Sequence, residues 1–153
     1  MTTSSNGPAS LHAYLSYRDA PGALTWLGQA FGFETTMQFP DDKGGLQHSE
    51  LRRDGVAIVV FSADQDYDRP SRRGETIGHG LYVALADEAS VDAVYATAVR
   101  AEADVVWEPG TTEWGNYRFR VADPEGYEWT FGTHKPGEPA ADWSDQEWDA
   151  EAS

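Results

Sequence analysis

The 153-residue chain contains no cysteine, which excludes a disulfide scaffold, a thiolate metal site and a cysteine nucleophile. Basic residues are scarce. Eleven Lys and Arg stand against 26 Asp and Glu, a formal net charge of −15. That balance argues against binding a phosphate backbone, which needs cations to replace counterions. It also disfavours anionic membrane surfaces and favours neutral or cationic ligands, besides serving solubility. No apolar run approaches membrane-spanning length. Met1 to Ser10 is small and polar with no apolar core, so no signal peptide is expected. A Gly-x-Ser-x-Gly elbow and a phosphate-cradling glycine loop are missing too. The expectation is a cytoplasmic protein that binds neither nucleic acid nor membrane.

What is present suffices for a packed interior: 40% of the residues are hydrophobic and 12% aromatic. The length suits one domain, or two small units sharing a core. One hairpin occurs twice. Asp123-Pro124-Glu125-Gly126 reads as a tight turn, entered by Arg118 to Val121 and left by Trp129 to Phe131. Upstream, Arg52-Arg53-Asp54-Gly55 leads into Val56 to Phe61. Placing Gly55 on Gly126 (126 − 55 = 71) puts Ile58 on Trp129 and Val60 on Phe131. A unit stated twice is the implication.

Taken in order, residues 1–10 have nothing to bury and read as a disordered lead-in. Over Leu11 to Tyr17, Leu11, Ala13 and Leu15 alternate with His12, Tyr14 and Ser16, the pattern of a strand. Asp19 caps a helix with Pro21 in its first turn, and Ala20, Leu24, Leu27 and Phe31 form its stripe up to Gly32. Glu34 to Phe39 is a strand, Pro40 to Gly45 a turn, and Leu46 to Phe61 the first hairpin. Residues 62–77 form a polar linker between unit one (11–61) and unit two (78–134).

The order then recurs. Leu81, Val83 and Leu85 alternate with Gly80, Tyr82 and Ala84, and Asp87 or Ser90 caps a helix striped by Val91, Val94, Tyr95, Ala98 and Ala101. Val105 to Trp107 is a strand, Pro109 to Gly115 a loop, and Asn116 to Phe131 the second hairpin. Asp19 against Asp87 gives an offset of 68 (87 − 19). Residues 135–153 are an acidic tail, in which Trp143 and Trp148 are the apolar exceptions able to dock on the body.

Two βαβββ units closed by Asp-Pro-Glu-Gly-Tyr-Glu-Trp resemble the vicinal oxygen chelate superfamily, the glyoxalase/bleomycin resistance protein/dioxygenase group. Trp114 to Arg118 and Trp129 to His134 look like a bacterial glyoxalase-like subfamily of mostly unassigned chemistry. The resemblance covers residues 11–134. It implies an α+β fold in which the two units form a curved mixed sheet, a cup with outer helices and ligand inside, commonly in a homodimer.

Metal-dependent members place one ligand on the first strand and one on the last strand of each unit. The matching positions here are His12, Val59, Gly80 and Thr130. Only His12 is a good ligand, and one ligand does not hold a metal. Moving His79 into place would put it on the face of Leu81 and Val83. If Asp54-Gly55 is a two-residue turn, Glu50 pairs with Val59 and His48 with Phe61. His12, His48 and Glu50 then offer an alternative divalent-metal set. The opposite reading leaves His48 and Glu50 as polar residues on an exposed strand face.

Without a metal or other cofactor, the cup offers aromatic surface and polar handles. The expected ligand-binding residues are His12, Tyr14, Ser16, His48, Glu50, Tyr82, Trp114 and Thr130, with Trp114 closing over the rim. Planar or cationic ligands stack well on such rings. Trp129 is expected in the core with Tyr127 and Phe131, and Trp107 fits a sheet core too. Tyr82 and Trp114 suit core or pocket. His12 is the candidate general base, or a hydrogen-bonded packing residue. Arg118 and Arg120 share a strand face, to hold an anion or simply to face solvent. The first functional expectation is metal-independent binding of a small molecule, with sequestration of an aromatic or cationic drug or metabolite as its specific form. The alternative is a divalent-metal-dependent lyase, isomerase or dioxygenase.

Overall fold

The computed structural model describes residues 8–63 and 80–138. His79, Trp143, Trp148 and most of the expected lead-in, linker and tail lie outside these. Unit one runs β1 (Tyr14–Tyr17), α1 (Ala20–Phe31), β2 (Glu34–Pro40), β3 (Leu46–Arg53) and β4 (Val56–Ser62). Unit two repeats it with β5 (Leu81–Ala84), α2 (Glu88–Arg100), β6 (Asp104–Thr111), β7 (Tyr117–Ala122) and β8 (Glu128–Gly132). Each unit is therefore βαβββ, and the fold is α+β as the repeat implies. The strands form two four-stranded mixed sheets, β1-β4-β3-β2 and β5-β8-β7-β6, which are not closed into one. In each, the first strand is parallel to the last and the other pairings are antiparallel.

Local chemistry explains the boundaries. The Asp19 carboxylate accepts from Gly22 N–H at 3.0 Å, and Pro21 needs no N–H partner in the first turn. Gly32 ends α1 at φ 82°, and its N–H returns to the Gly28 carbonyl at 3.0 Å. Asp87, not Ser90, is the N-cap of α2, accepting from Ser90 N–H at 2.8 Å. The first hairpin has the expected register, with Arg53 opposite Val56 and Glu50 opposite Val59. Its left-handed residue is Asp54 at φ 51°, whereas in the second hairpin it is Gly126 at φ 97°. The two turns thus differ although the strands behind them superpose.

Two boundaries depart from expectation. β1 begins at Tyr14, and Leu11 is 97% exposed instead of packing with Leu15. The ladder stops there because the His12 side chain, through Nδ1, takes the Ala57 carbonyl at 2.8 Å. β6 extends through Pro109 to Thr111, where a loop was expected. Pro109 has no N–H to pair, and the register shifts between Trp107 and Gly110 absorb it.

The units share one core. Phe31 of α1 meets Trp129 at 5.1 Å and Phe131 at 4.8 Å between ring centroids, both on β8 of the other unit. Phe33 also reaches Trp129, and Phe131 stacks on Phe119. The helices are tied directly: Thr97 Oγ1 donates to the Ala30 carbonyl and Trp26 Nε1 to the Ala101 carbonyl. Trp129 is therefore a core residue, as its parity indicates. Among the described residues no helix is long and apolar enough to cross a membrane.

Candidate functional site

A groove of about 890 Å³ lies between β1 and β5, the end strands of the two sheets. His12, Tyr14 and Ser16 line it from unit one, and Tyr82 from unit two. Register shows why the two tyrosines meet there. Tyr14 sits beside Val59 in the parallel β1–β4 pair, and Tyr82 beside Thr130 in the parallel β5–β8 pair. Their spacing is 68 (82 − 14), the offset of the two helix caps, so they are equivalent positions of the repeat. Tyr14 is 71% exposed and packs edge-on against Phe61.

His12 and Tyr82 each have defined hydrogen-bond partners. The Ala57 carbonyl can only accept, so His12 Nδ1 carries the proton of the neutral ring and Nε2 the lone pair. Nε2 faces the Ser10 hydroxyl at 2.7 Å. Tyr82 Oη lies 2.9 Å from the His134 carbonyl and 3.3 Å from Asn116 Oδ1, and burial raises its pKa. Asn116 is buried, and its Oδ1 also accepts from Thr133 and His134 N–H. Asn116 falls within the Trp114 to Arg118 stretch, but its part as a buried acceptor comes from a chain crossing 17 residues later. Gly132 is needed beside it: a Cβ there would stand 2.6 Å from both Asn116 Oδ1 and Tyr82 Oη. Asn116→Ala is expected to destabilise by about 1–3 kcal/mol, because two backbone donors lose their acceptor. The urea midpoint measures it.

The other expected site residues lie elsewhere. His48 Nε2 and Glu50 Oε2 are in hydrogen-bond contact at 2.8 Å on β3, with β4 between them and β1, and neither lines the groove. Among the described residues, no three His, Cys, Asp or Glu side chains are placed to hold a metal, so His12, His48 and Glu50 are not gathered as a ligand set. Thr130 is buried and accepts from Arg120 Nε at 2.7 Å. Trp114 is 70% exposed on the β6–β7 loop and outside the groove lining, so it is not core.

The face of β6–β8 carries a cluster that residue patterns showed only in part. The Arg118 and Arg120 guanidinium groups each lie 4.0 Å from the centroid of the Trp107 ring. Arg120 also reaches Glu128 at 3.4 Å, whose side chain is buried. Trp107 is thus a platform for cations instead of sheet filler. Glu128 was legible, since it shares strand parity with Thr130.

The Asp-Pro-Glu-Gly turn ties the two units together beside the groove. Asp123 Oδ2 accepts from Tyr17 Oη at 2.7 Å and Trp129 Nε1 at 3.1 Å. Its Oδ1 accepts from Glu125 and Tyr127 N–H, each at 3.0 Å. Burial raises the Asp123 pKa despite these donors, and burial together with Asp123 raises that of Tyr17. The Glu125 carboxylate accepts from Arg18 and Asp19 N–H, at 2.7 and 2.9 Å, at the start of α1. Tyr127 Oη donates to the Ser16 carbonyl at 2.9 Å.

Comparison with known proteins agrees with this architecture. The sequence pattern of the Glyoxalase/Bleomycin resistance protein/Dioxygenase superfamily matches residues 10–131. An uncharacterised Mycobacterium tuberculosis protein is 27% identical over 132 residues, 86% of this chain and 78% of that protein. The crystal structure of TioX from Micromonospora sp. ML1 is 27% identical with a TM-score of 0.64, covering 82% of this chain and 100% of that one. A lactoylglutathione lyase from Agrobacterium tumefaciens, 21% identical, matches with a TM-score of 0.60 over 82% and 93% of the two chains, a likeness of fold.

Proposed function

We propose, since this chain belongs to the Glyoxalase/Bleomycin resistance protein/Dioxygenase superfamily, that it binds a small aromatic or cationic molecule without a metal. The observation that carries this reading is the groove between β1 and β5, with Tyr14 and Tyr82 entering it from equivalent positions of the two units. Its volume of about 890 Å³ is in the range of small-molecule sites. A planar ligand between the two phenol rings is held by stacking, and a positive charge on it gains about 0.5–2 kcal/mol over a ring face. The net charge of −15 draws a cation toward the protein. Sequestration of a drug or metabolite needs nothing more than this affinity.

The metal-free part of the reading rests on Val59, Gly80 and Thr130, which stand where the metal-dependent members of the resembling superfamily have ligands. A homodimer is part of the same reading, because β2 is an edge strand exposed along its whole length, with Met37 and Phe39 among its exposed residues.

Calorimetry of metal-stripped protein with nickel, manganese, zinc and ferrous iron is expected to show no stoichiometric binding. Tight binding that disappears in His12→Ala overturns the metal-free reading in favour of metal-dependent chemistry. A panel of planar aromatic cations, read by tryptophan fluorescence, is expected to yield a ligand whose affinity falls roughly 2- to 30-fold in Tyr82→Ala. A ligand unaffected by both Tyr82→Ala and Tyr14→Ala places the binding site outside this groove.

A further inference from the structure

The geometry points to Ser10 as a nucleophile, activated by His12, toward small aromatic esters that enter the groove. Ser10 and His12 both line it. Three elements of nucleophilic catalysis are aligned there: a hydroxyl, a base in hydrogen-bond contact, and a group orienting the base. The hydroxyl is Ser10 Oγ, 2.7 Å from His12 Nε2. The orienting group is the Ala57 carbonyl, 2.8 Å from His12 Nδ1, contributed by β4 from 45 residues away.

The carbonyl takes the part that a carboxylate plays in a three-residue constellation. It holds the proton on Nδ1 and leaves the Nε2 lone pair aimed at the hydroxyl. His12 is an exposed residue on a segment ahead of the β1 ladder. Through the Ala57 contact the base is held against the sheet. The N–H groups of Leu11 and His12 follow the hydroxyl along the chain and take no part in the β1–β4 pairing, which begins at Tyr14. Aromatic acyl donors are the class indicated, because Tyr14 and Tyr82 share the groove with the pair.

The reaction balances with water as the only co-reactant. Ser10 Oγ bonds to the acyl carbon while its proton passes to His12 Nε2. The carbon–oxygen bond to the leaving phenol breaks, and Nε2 returns the proton to that oxygen. Water then attacks the acyl-Ser10 ester, giving a proton to Nε2. The Ser10 oxygen leaves and takes the proton back, releasing the carboxylic acid.

The full chain treated with an alkyl fluorophosphonate tests this. Ser10 Oγ would displace fluoride, which departs with the hydroxyl proton as hydrogen fluoride, leaving one stable adduct. Intact mass and peptide mapping are expected to show a single label on Ser10, absent in Ser10→Ala. In His12→Gln the amide can still donate to Ala57 but supplies no base, so labelling should slow by about 100-fold or more. No adduct, an adduct on another residue, or equal rates in wild type and His12→Gln each overturn the assignment. If His12→Gln does not fold, the wild-type map and Ser10→Ala still decide it, since Ser10 is exposed. The binding reading is tested by the affinity losses in Tyr14→Ala and Tyr82→Ala, which need no reaction at Ser10, so this inference and that reading fail separately.

Discussion

Asp123→Asn is expected to lower stability by about 3 kcal/mol, the scale of losing charge-assisted hydrogen bonds in a buried site. An asparagine that keeps its oxygen on the Glu125 and Tyr127 N–H groups turns its own NH2 toward Trp129 Nε1, a donor, and toward Tyr17 Oη. The indole N–H is then buried without an acceptor. Tyr17 belongs to unit one and Asp123 to unit two, so the damage falls on the join between them. The pH dependence has a definite sign. Burial raises the native pKa of Asp123 above its ordinary 3.8. The stabilisation attached to this shift is complete below that ordinary value and is lost as pH rises through the raised native one. Asparagine does not titrate, so the stability gap between wild type and variant is expected to widen as pH falls from 7 toward 4. Urea unfolding at several pH values measures the gap. A gap that narrows on acidification would mean that the four donors outweigh burial.

Phe31→Ala is expected to cost about 3–5 kcal/mol, the range for removing a fully buried aromatic ring. Phe31 is 1% exposed and touches Trp26 of its own helix and Trp129 and Phe131 of the opposite unit. The cavity would therefore open where α1 meets β8. Because both units pack on this ring, unfolding of the variant should stay a single transition at a lower denaturant midpoint, by fluorescence and by circular dichroism alike. Two separated transitions would show that each unit has a core of its own.

How much of this was legible in the residues divides along a physical line. Alternation placed Leu15 and Val83 toward the core and Tyr14 and Tyr82 away from it. Asp19, Gly32 and Asp87 bounded the helices. The Asp54-Gly55 turn set Glu50 opposite Val59. These are local matters, decided by a period of two or 3.6 and by groups within a few positions of one another. The repeat offset carried them from one unit to the other.

The candidate site divides the same way. Strand parity put His12, Tyr14, Ser16 and Tyr82 on one surface, and all four line the groove, yet it put His48, Glu50 and Thr130 there equally well. Parity says which face a side chain takes and nothing about how one sheet is set against another. The shared core, centred on Phe31 against Trp129 and Phe131, fixes that relation together with the contacts of the Asp123 turn. It brings β1 and β5 to one groove and leaves the His48–Glu50 pair to a strand farther off. Contacts such as Tyr17 with Asp123, 106 residues apart, follow from that rigid-body arrangement. By itself the sequence determined two βαβββ units, their caps and the faces of their strands, because those depend on neighbours along the chain. Tertiary structure alone decided which faces meet and which polar groups pair across the units, because that depends on the shapes of buried side chains filling one shared core.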